Sequence, residues 1–435
     1  MDIIRIATAG SVDDGKSTLI GRLLYETNSV PKDRLEAIDA ASKRRGVGFL
    51  DLSLLTDGLI AEREQGITID VAHVYFNTPS RKYIIADTPG HFEYTRNMVT
   101  GASRASVSII LIDARNGVVE QTARHYFISA LLCVPEVIVC VNKMDLVGYA
   151  QARFDDVVAD FKRIADRIRP EGQTIRYLPV ASLHGDNVTR RSGQLSWYHG
   201  PALLELLEQA EAHHPRQFSA RLGVQTVIRP RAGHNDSALH DYRGYAGRIS
   251  SGSFAVGDEI VALPSAEHSH IVAIDKFGQQ HERAEAGESI TLRLADNIDI
   301  SRGGLISHTA DVPAPCKEVR AHVCWLDHQV LTPGKTHVLQ HGVNRVRAKT
   351  IAIHGVINVV TQDITHSPPQ LKLNEIGTAT FKLSAPIFAD TYSVNPANGA
   401  FILIDEWTNN TVGVGFIEPM PPPIPPADEA FGSGV

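Results

Sequence analysis

Up to about residue 212 the chain alternates apolar runs of strand length with stretches whose apolar residues recur every three or four positions. Ile3-Ile4-Arg5-Ile6-Ala7-Thr8-Ala9 is a run of the first kind, and Leu19-Ile20-Gly21-Arg22-Leu23-Leu24 is one of the second. Strands are predicted at 2–9, 70–77, 82–87, 107–113, 137–141 and 176–181, and helices at 17–26, 93–102, 120–131, 151–168 and 201–211. Strand–helix alternation of this kind predicts a mainly parallel sheet with helices on both faces and a ligand at the carboxyl ends of its strands.

After His213-His214-Pro215 the texture changes to short alternating segments separated by turn signals at Ser251-Gly252, Gly257-Asp258 and Gly287-Glu288. Leu222–Ile228 and Ile271–Ile274 are such segments, and their spacing predicts a small β-barrel. A second β-rich stretch contains Val319–Trp325 and Gly399–Ile404. The expected division is 1–215, 216–311 and 312–418, then a proline-rich tail or linker at 419–435 that cannot pack as sheet or helix.

At 435 residues the chain is too long for one ordinary core, which agrees with several domains. A net charge of −7 argues against a broad nucleic-acid-binding face. No apolar run approaches the roughly 20 residues needed to span a bilayer, so no membrane is expected. The N-terminus enters a strand by residue 3, which leaves no room for a signal peptide. Cys133, Cys140, Cys316 and Cys324 show no CxxC spacing, and a reducing, cytoplasmic setting is expected. His213-His214, His234, His240 and His268-x-His270 lack matching cysteines or carboxylates; they are read as solvated loop residues, with no structural zinc.

The chemistry lies in the loops after the strands. Gly10-Ser11-Val12-Asp13-Asp14-Gly15-Lys16-Ser17, followed by Thr18, fits GxxxxGK[ST] between a strand and a helix. In such a loop backbone N–H groups close around phosphate oxygens, Lys16 reaches the β- and γ-phosphates, and the Ser17 hydroxyl ligates Mg²⁺. Asn142-Lys143-Met144-Asp145 selects the base, because the carboxylate accepts from both guanine N1–H and N2–H₂, a donor pair adenine lacks. GTP and GDP are therefore the expected ligands. Asp87-Thr88-Pro89-Gly90-His91 follows a strand: Asp87 is expected to hold Mg²⁺ through water, Gly90 to donate to the γ-phosphate, and His91 to orient the attacking water. Ala181-Ser182-Leu183 ends the last strand, where a backbone N–H can meet guanine O6. A second fragment, Gly334-Lys335-Thr336, has Gln329 where the loop requires glycine and reads as the start of a strand.

The ordered set GxxxxGKS, Gly66-Ile67-Thr68-Ile69, DTPGH and NKMD resembles the translation elongation-factor class of GTPases. The implied fold is an α/β P-loop GTPase domain followed by two β-barrel domains. Within that class the chain is similar to the large, GTPase subunit of heterodimeric sulfate adenylyltransferase (ATP sulfurylase). Residues 48–70, Leu183-His-Gly-Asp-Asn-Val188, Asp241–Gly247, Ile298–Gly303 and Ile404–Gly413 carry that likeness. Two departures stand out: Ala181-Ser182-Leu183 replaces the family's Ser-Ala-Leu, and Asp14 stands where many elongation factors have histidine.

The resemblance implies that Thr68 completes Mg²⁺ coordination, that residues 28–66 form a switch segment ordered by nucleotide, and that Val12 and Ile67 form an apolar gate beside His91. It implies catalytic roles for His91, Lys16 and Thr68. It further implies GTP hydrolysis that drives adenylyl sulfate synthesis from ATP and sulfate on a small catalytic partner subunit. An adenylyl-sulfate kinase is a further possible partner; it would need its own P-loop, and this chain has one. The rival reading, an elongation factor carrying aminoacyl-tRNA, would require steeply salt-dependent tRNA binding.

Overall fold

The computed structural model describes residues 2–44, 50–55, 72–88, 95–211, 218–230, 242–358, 361 and 363–419. Pro89, Gly90, His91, Ile67, Thr68 and the proline-rich segment from Met420 onward lie outside them, as do His213, His214, His234 and His240. The chain forms two compact units, Met1–His214 with Asn358–Asp363, and Pro215–Ile357 with the residues from Ile364.

The first unit runs β1 (Ile3–Ala9), α1 (Lys16–Glu26), α2 (Lys32–Arg44), β2 (Ala72–Asn77), β3 (Lys82–Asp87), α3 (Thr95–Ala102), β4 (Val107–Asp113), α4 (Glu120–Leu131), β5 (Glu136–Asn142), α5 (Gln151–Ile168), β6 (Thr174–Pro179) and α6 (Leu203–Gln209). The sheet order is β2-β3-β1-β4-β5-β6, with β2 antiparallel to β3 and the other neighbours parallel. All seven residues of β4 are buried, as expected of a central strand covered on both faces. Register sets the site: Thr8 lies beside Asp87, and Asp113 beside Asn142, at the carboxyl ends of their strands.

Helix α2 is absent from the sequence expectation, which placed residues 32–44 within a switch segment. Its apolar stripe is thin, with Ile38 and Ser42 its buried residues, so the polar spacing masks it. A following 3₁₀ turn, Leu52–Leu55, buries Leu52 and Leu55 in the core shared with α1, and Ser42 Oγ accepts the Asp51 N–H at 2.9 Å. This part of the segment is packed; residues 56–66 lie outside the described chain.

The second unit begins with β7 (Arg221–Ile228), β8 (Gly244–Ser251), β9 (Ser253–Ala255), β10 (Glu259–Leu263), β11 (Glu267–Lys276), β12 (Gln279–His281), β13 (Arg283–Glu285), β14 (Ser289–Leu294) and β15 (Leu305–His308). The order β10-β15-β7-β8-β14-β11 closes on itself through β10–β11, giving an antiparallel barrel of six strands. His268 and His270 are exposed on β11, on a strand rather than a loop. The chain continues with β16 (Pro315–Trp325), β17 (Thr336–His341), β18 (Asn344–Ile357), β19 (Ile364–His366), β20 (Ile376–Phe388), β21 (Ala400–Ile404) and β22 (Thr411–Ile417). Here β17-β21-β22-β16-β20-β18 closes through β17–β18. Gly334 sits in a turn and Thr336 opens β17, so the second GKT fragment is a strand start.

The two barrels pack as one unit through a buried ion pair. Arg221 on β7 is 1% exposed, and its Nε and Nη2 donate to Asp390 Oδ2 and Oδ1 at 3.0 and 2.9 Å. Its Nη1 donates to the Asp311 carbonyl at 2.9 Å. Asp390 Oδ2 also accepts from Asn395 and Asn398, each at 2.9 Å, and Asn395 Nδ2 reaches Ser251 Oγ of the first barrel at 3.0 Å. Among the described residues, no helix is long and apolar enough to cross a membrane.

Candidate nucleotide-binding site

The phosphate loop turns sharply from β1 into α1. Gly15 adopts φ +92° as the residue preceding the helix, and a Cβ there would come 2.5 Å from Asn142 Nδ2, so both backbone and space require glycine. The first turn of α1, Lys16-Ser17-Thr18, carries no acid, which leaves the positive end of the helix open to an anion. Ser11 N–H donates to Asp14 Oδ2 at 2.6 Å and folds the loop on itself. Val12, at the loop's tip, is exposed.

Lys16 is buried, and its Nζ donates to the Gly10 carbonyl at 3.0 Å across the loop. Burial pushes its amine down, while Asp87, Asp14 and Asp13 pull it back up. The Asp14 carboxyl is pushed up by burial, against the Ser11 N–H and Lys16. His125 on α4 is also buried; desolvation, then Lys16 and Arg124, push it down to about 3, so it is neutral beside the loop.

Asp87 ends β3 buried, its Oδ1 accepting the Thr8 hydroxyl at 3.1 Å, and Thr88 Oγ1 donates to the Thr8 carbonyl at 2.5 Å. The Ser17 hydroxyl, in the first turn of α1, and the Asp87 carboxylate, at the end of β3, are hard oxygen donors of the kind that suits Mg²⁺.

On the base side, Asn142 joins three segments. Its Nδ2 donates to the Asp14 carbonyl at 2.8 Å, and its Oδ1 accepts the Ser182 N–H at 3.0 Å and the Ser182 hydroxyl at 2.9 Å. Lys143 takes a left-handed φ of 62°, and its Nζ reaches the Asp13 carbonyl and, at 3.0 Å, Asp113 Oδ2. Met144 is fully buried and donates its N–H to the Val180 carbonyl at 3.2 Å. Asp145 remains partly exposed, 3.6 Å from His184 Nε2. The structure thus gathers Gly10–Thr18, Asn142–Asp145 and Ala181–Leu183 into one frame, with Asp87 and Thr88 beside the phosphate loop.

Asp113 was not singled out from sequence. Its signal is a carboxylate at the carboxyl end of a largely apolar strand, the position where such sheets place ligand chemistry. Burial alone would raise its carboxyl, but Arg115 at 2.6 Å and Lys143 outweigh it and hold the group at about 2. Because that lies below the ordinary 3.8, the stability these contacts supply is present above about pH 4 and is lost as pH falls through about 2. Asp113→Asn is therefore expected to show a shallower fall of the urea midpoint over that window. An acid limb parallel to the wild type would count against the assignment.

Residues 1–216 match the model of the elongation factor Tu GTP binding domain, and residues 318–418 match the GTP-eEF1A C-terminal domain-like model. The bifunctional enzyme CysN/CysC of Mycobacterium tuberculosis is 46% identical over 417 residues, 95% of this chain and 67% of that protein. Sulfate adenylyltransferase subunit 1 of Erwinia tasmaniensis is 46% identical over 420 residues, 95% of this chain and 86% of its own. The protein of that name from Aeromonas salmonicida is 44% identical over 418 residues, again 95% and 86%. A solved structure of sup35 complexed with GMPPNP covers 96% of this chain and 94% of its own at 21% identity and a TM-score of 0.43, too loose a likeness to bear on function. The chain belongs to the family of sulfate adenylyltransferase subunit 1, GTPases built on an elongation factor Tu-type GTP-binding domain.

Proposed function

We propose that this chain hydrolyses GTP to drive adenylyl sulfate synthesis, with ATP and sulfate reacting on a small catalytic partner subunit in the cytoplasm. The observation that carries the reading is 46% identity, sustained over 95% of the chain, to a sulfate adenylyltransferase subunit 1. Forming a phosphate–sulfate anhydride is uphill, so a coupled hydrolysis meets a physical need. Coupling requires two conformations that treat the partner differently, since a ligand shifts an equilibrium only by its differential affinity. Moving such a switch from 1:99 to 99:1 takes about 5.5 kcal/mol, a load within reach of γ-phosphate contacts.

In this reading Lys16 and the N–H groups where the loop enters α1 hold the phosphates, and Asp145 selects guanine. Ser17 and Asp87, with Thr68, would hold Mg²⁺, which when bound supplies charge neutralisation on the β- and γ-phosphate oxygens. His91 orients the attacking water behind a gate of Val12 and Ile67, and Gly90 senses the γ-phosphate. The test is GTPase rate in the chain purified with its small partner subunit, before and after adding ATP and sulfate. A rate raised by partner and substrates supports coupling; a rate indifferent to all three overturns it.

A further inference from the structure

Helix α1 starts at the phosphate loop and, two turns later, grips the loop that follows β6. Arg22 Nε donates to the Ser182 carbonyl at 3.2 Å, and Nη2 donates to the Leu183 carbonyl. Glu26, one turn on and 3.8 Å from Arg22 Nη1, accepts the Thr189 hydroxyl. Gly185 lies against Glu26 with φ +84°, so close that a Cβ would overlap Oε1.

Between Ala181 and Asp186 the N–H groups are taken, with one exception. Ala181 donates to Asp186; His184, Gly185 and Asp186 all donate to the Ala181 carbonyl; Ser182 donates to Asn142. Among the described residues, the Leu183 N–H has no such acceptor. It belongs to the same planar peptide as the Ser182 carbonyl, so the Arg22 Nε bond fixes the direction in which that N–H points. Leu183 is partly exposed, so this N–H is open to a ligand acceptor.

We propose that Arg22 is a positioning residue for base selection, holding the 182–183 peptide so that the Leu183 N–H donates to guanine O6. This rests on the reading that the 181–183 backbone meets O6. Through Arg22, the helix that carries Lys16 and Ser17 also carries the donor for the base, so phosphate and base recognition share one rigid element. Arginine suits the task because its fork serves two carbonyls at once, which a lysine ammonium cannot reproduce.

The experiment compares GDP with 6-thio-GDP, which keeps the N1–H and N2–H₂ edge but replaces O6 with a poor acceptor. Affinities are measured by competition against a fluorescent GDP analogue, using the full chain and its Arg22→Ala and Arg22→Lys variants. Wild type is expected to prefer GDP by about tenfold, the worth of one good hydrogen bond in a desolvated site. Arg22→Ala should lower that preference to about twofold, mainly by weakening GDP, and Arg22→Lys should fall between. A merely structural loss would weaken both nucleotides alike. If Arg22→Ala and Arg22→Lys both keep the wild-type preference, or weaken both nucleotides equally, the role assigned to Arg22 is wrong. If wild type itself does not distinguish the two nucleotides, the contact between the loop and O6 is wrong, and the proposal falls with it.

Discussion

Lys16→Ala is expected to abolish GTP turnover and to weaken GDP by more than about a hundredfold, as loss of two charge-assisted contacts of 1.5–3 kcal/mol each would do. The amine is buried beside Asp87, Asp14 and Asp13 and is tethered to the Gly10 carbonyl at 3.0 Å. Removing it leaves three carboxylates uncompensated where a polyphosphate must approach, so the effect combines lost attraction with gained repulsion. Titration with a fluorescent GDP analogue and single-turnover phosphate release measure the two parts. Lys16→Met, which keeps the aliphatic stem, separates charge from packing and should be nearly as defective. His91→Ala provides the contrast: nucleotide binding within about threefold of wild type, with slowed hydrolysis, as positioning without binding requires. Affinity retained in Lys16→Ala would remove the loop from the site.

Asp390→Ala is expected to destabilise the second unit by about 3–5 kcal/mol, because it leaves the buried Arg221 guanidinium with only the half-exposed Asp311 carboxylate, 3.4 Å from Nη2, in place of a bidentate partner. The side-chain amides of Asn395 and Asn398 lose an acceptor in the same step. Urea unfolding followed by tryptophan fluorescence, with Trp197 and Trp407 replaced by Phe so that it reports Trp325, buried in the second barrel, reads the loss. The double variant Arg221→Met/Asp390→Leu should recover much of it, since replacing a buried ion pair with packed apolar groups is often near neutral. A loss below about 1 kcal/mol in the single variant would mean that the pair does not hold the barrels together.

The sequence made legible what repeats or what is local. Strands at 82–87 and 107–113 and helices at 120–131 and 151–168 coincide with β3, β4, α4 and α5, because their apolar spacing is strong and their ends carry turn residues. The motif loops were readable because GxxxxGKS and NKMD are short and contiguous. Helix α2 was not, since it rests on the core by little more than Ile38 and Ser42. The supports of the site were hidden for another reason: they are long-range. Arg22 meets residues 160 and 161 positions away, and Arg221 meets Asp390 at a separation of 169. Nothing in the local pattern of an arginine on a helix, or at a strand start, announces such a partner. Asp113 alone among them left a trace, as an acid closing an apolar strand.

The pairing of Asp113 with Asn142 across β4 and β5 bears on folding as well as on binding. Most strands declare their alignment through an in–out alternation, and a one-residue slip is penalised because it turns the wrong face to the core. β4 is buried on both faces and β5 nearly so, and their middles read Ser-Ile-Ile-Leu-Ile and Val-Ile-Val-Cys-Val. Over most of that length a slip exchanges one apolar residue for another; Ser108, buried with its hydroxyl 2.9 Å from that of Ser129, is the exception within β4. Besides Ser108, the polar end distinguishes the correct alignment: Asn142 tied to Asp14 and Ser182, and Lys143 facing Asp113. On the proposed function, Asn142 and Lys143 therefore have a second use, as an index mark by which two largely apolar strands find their place.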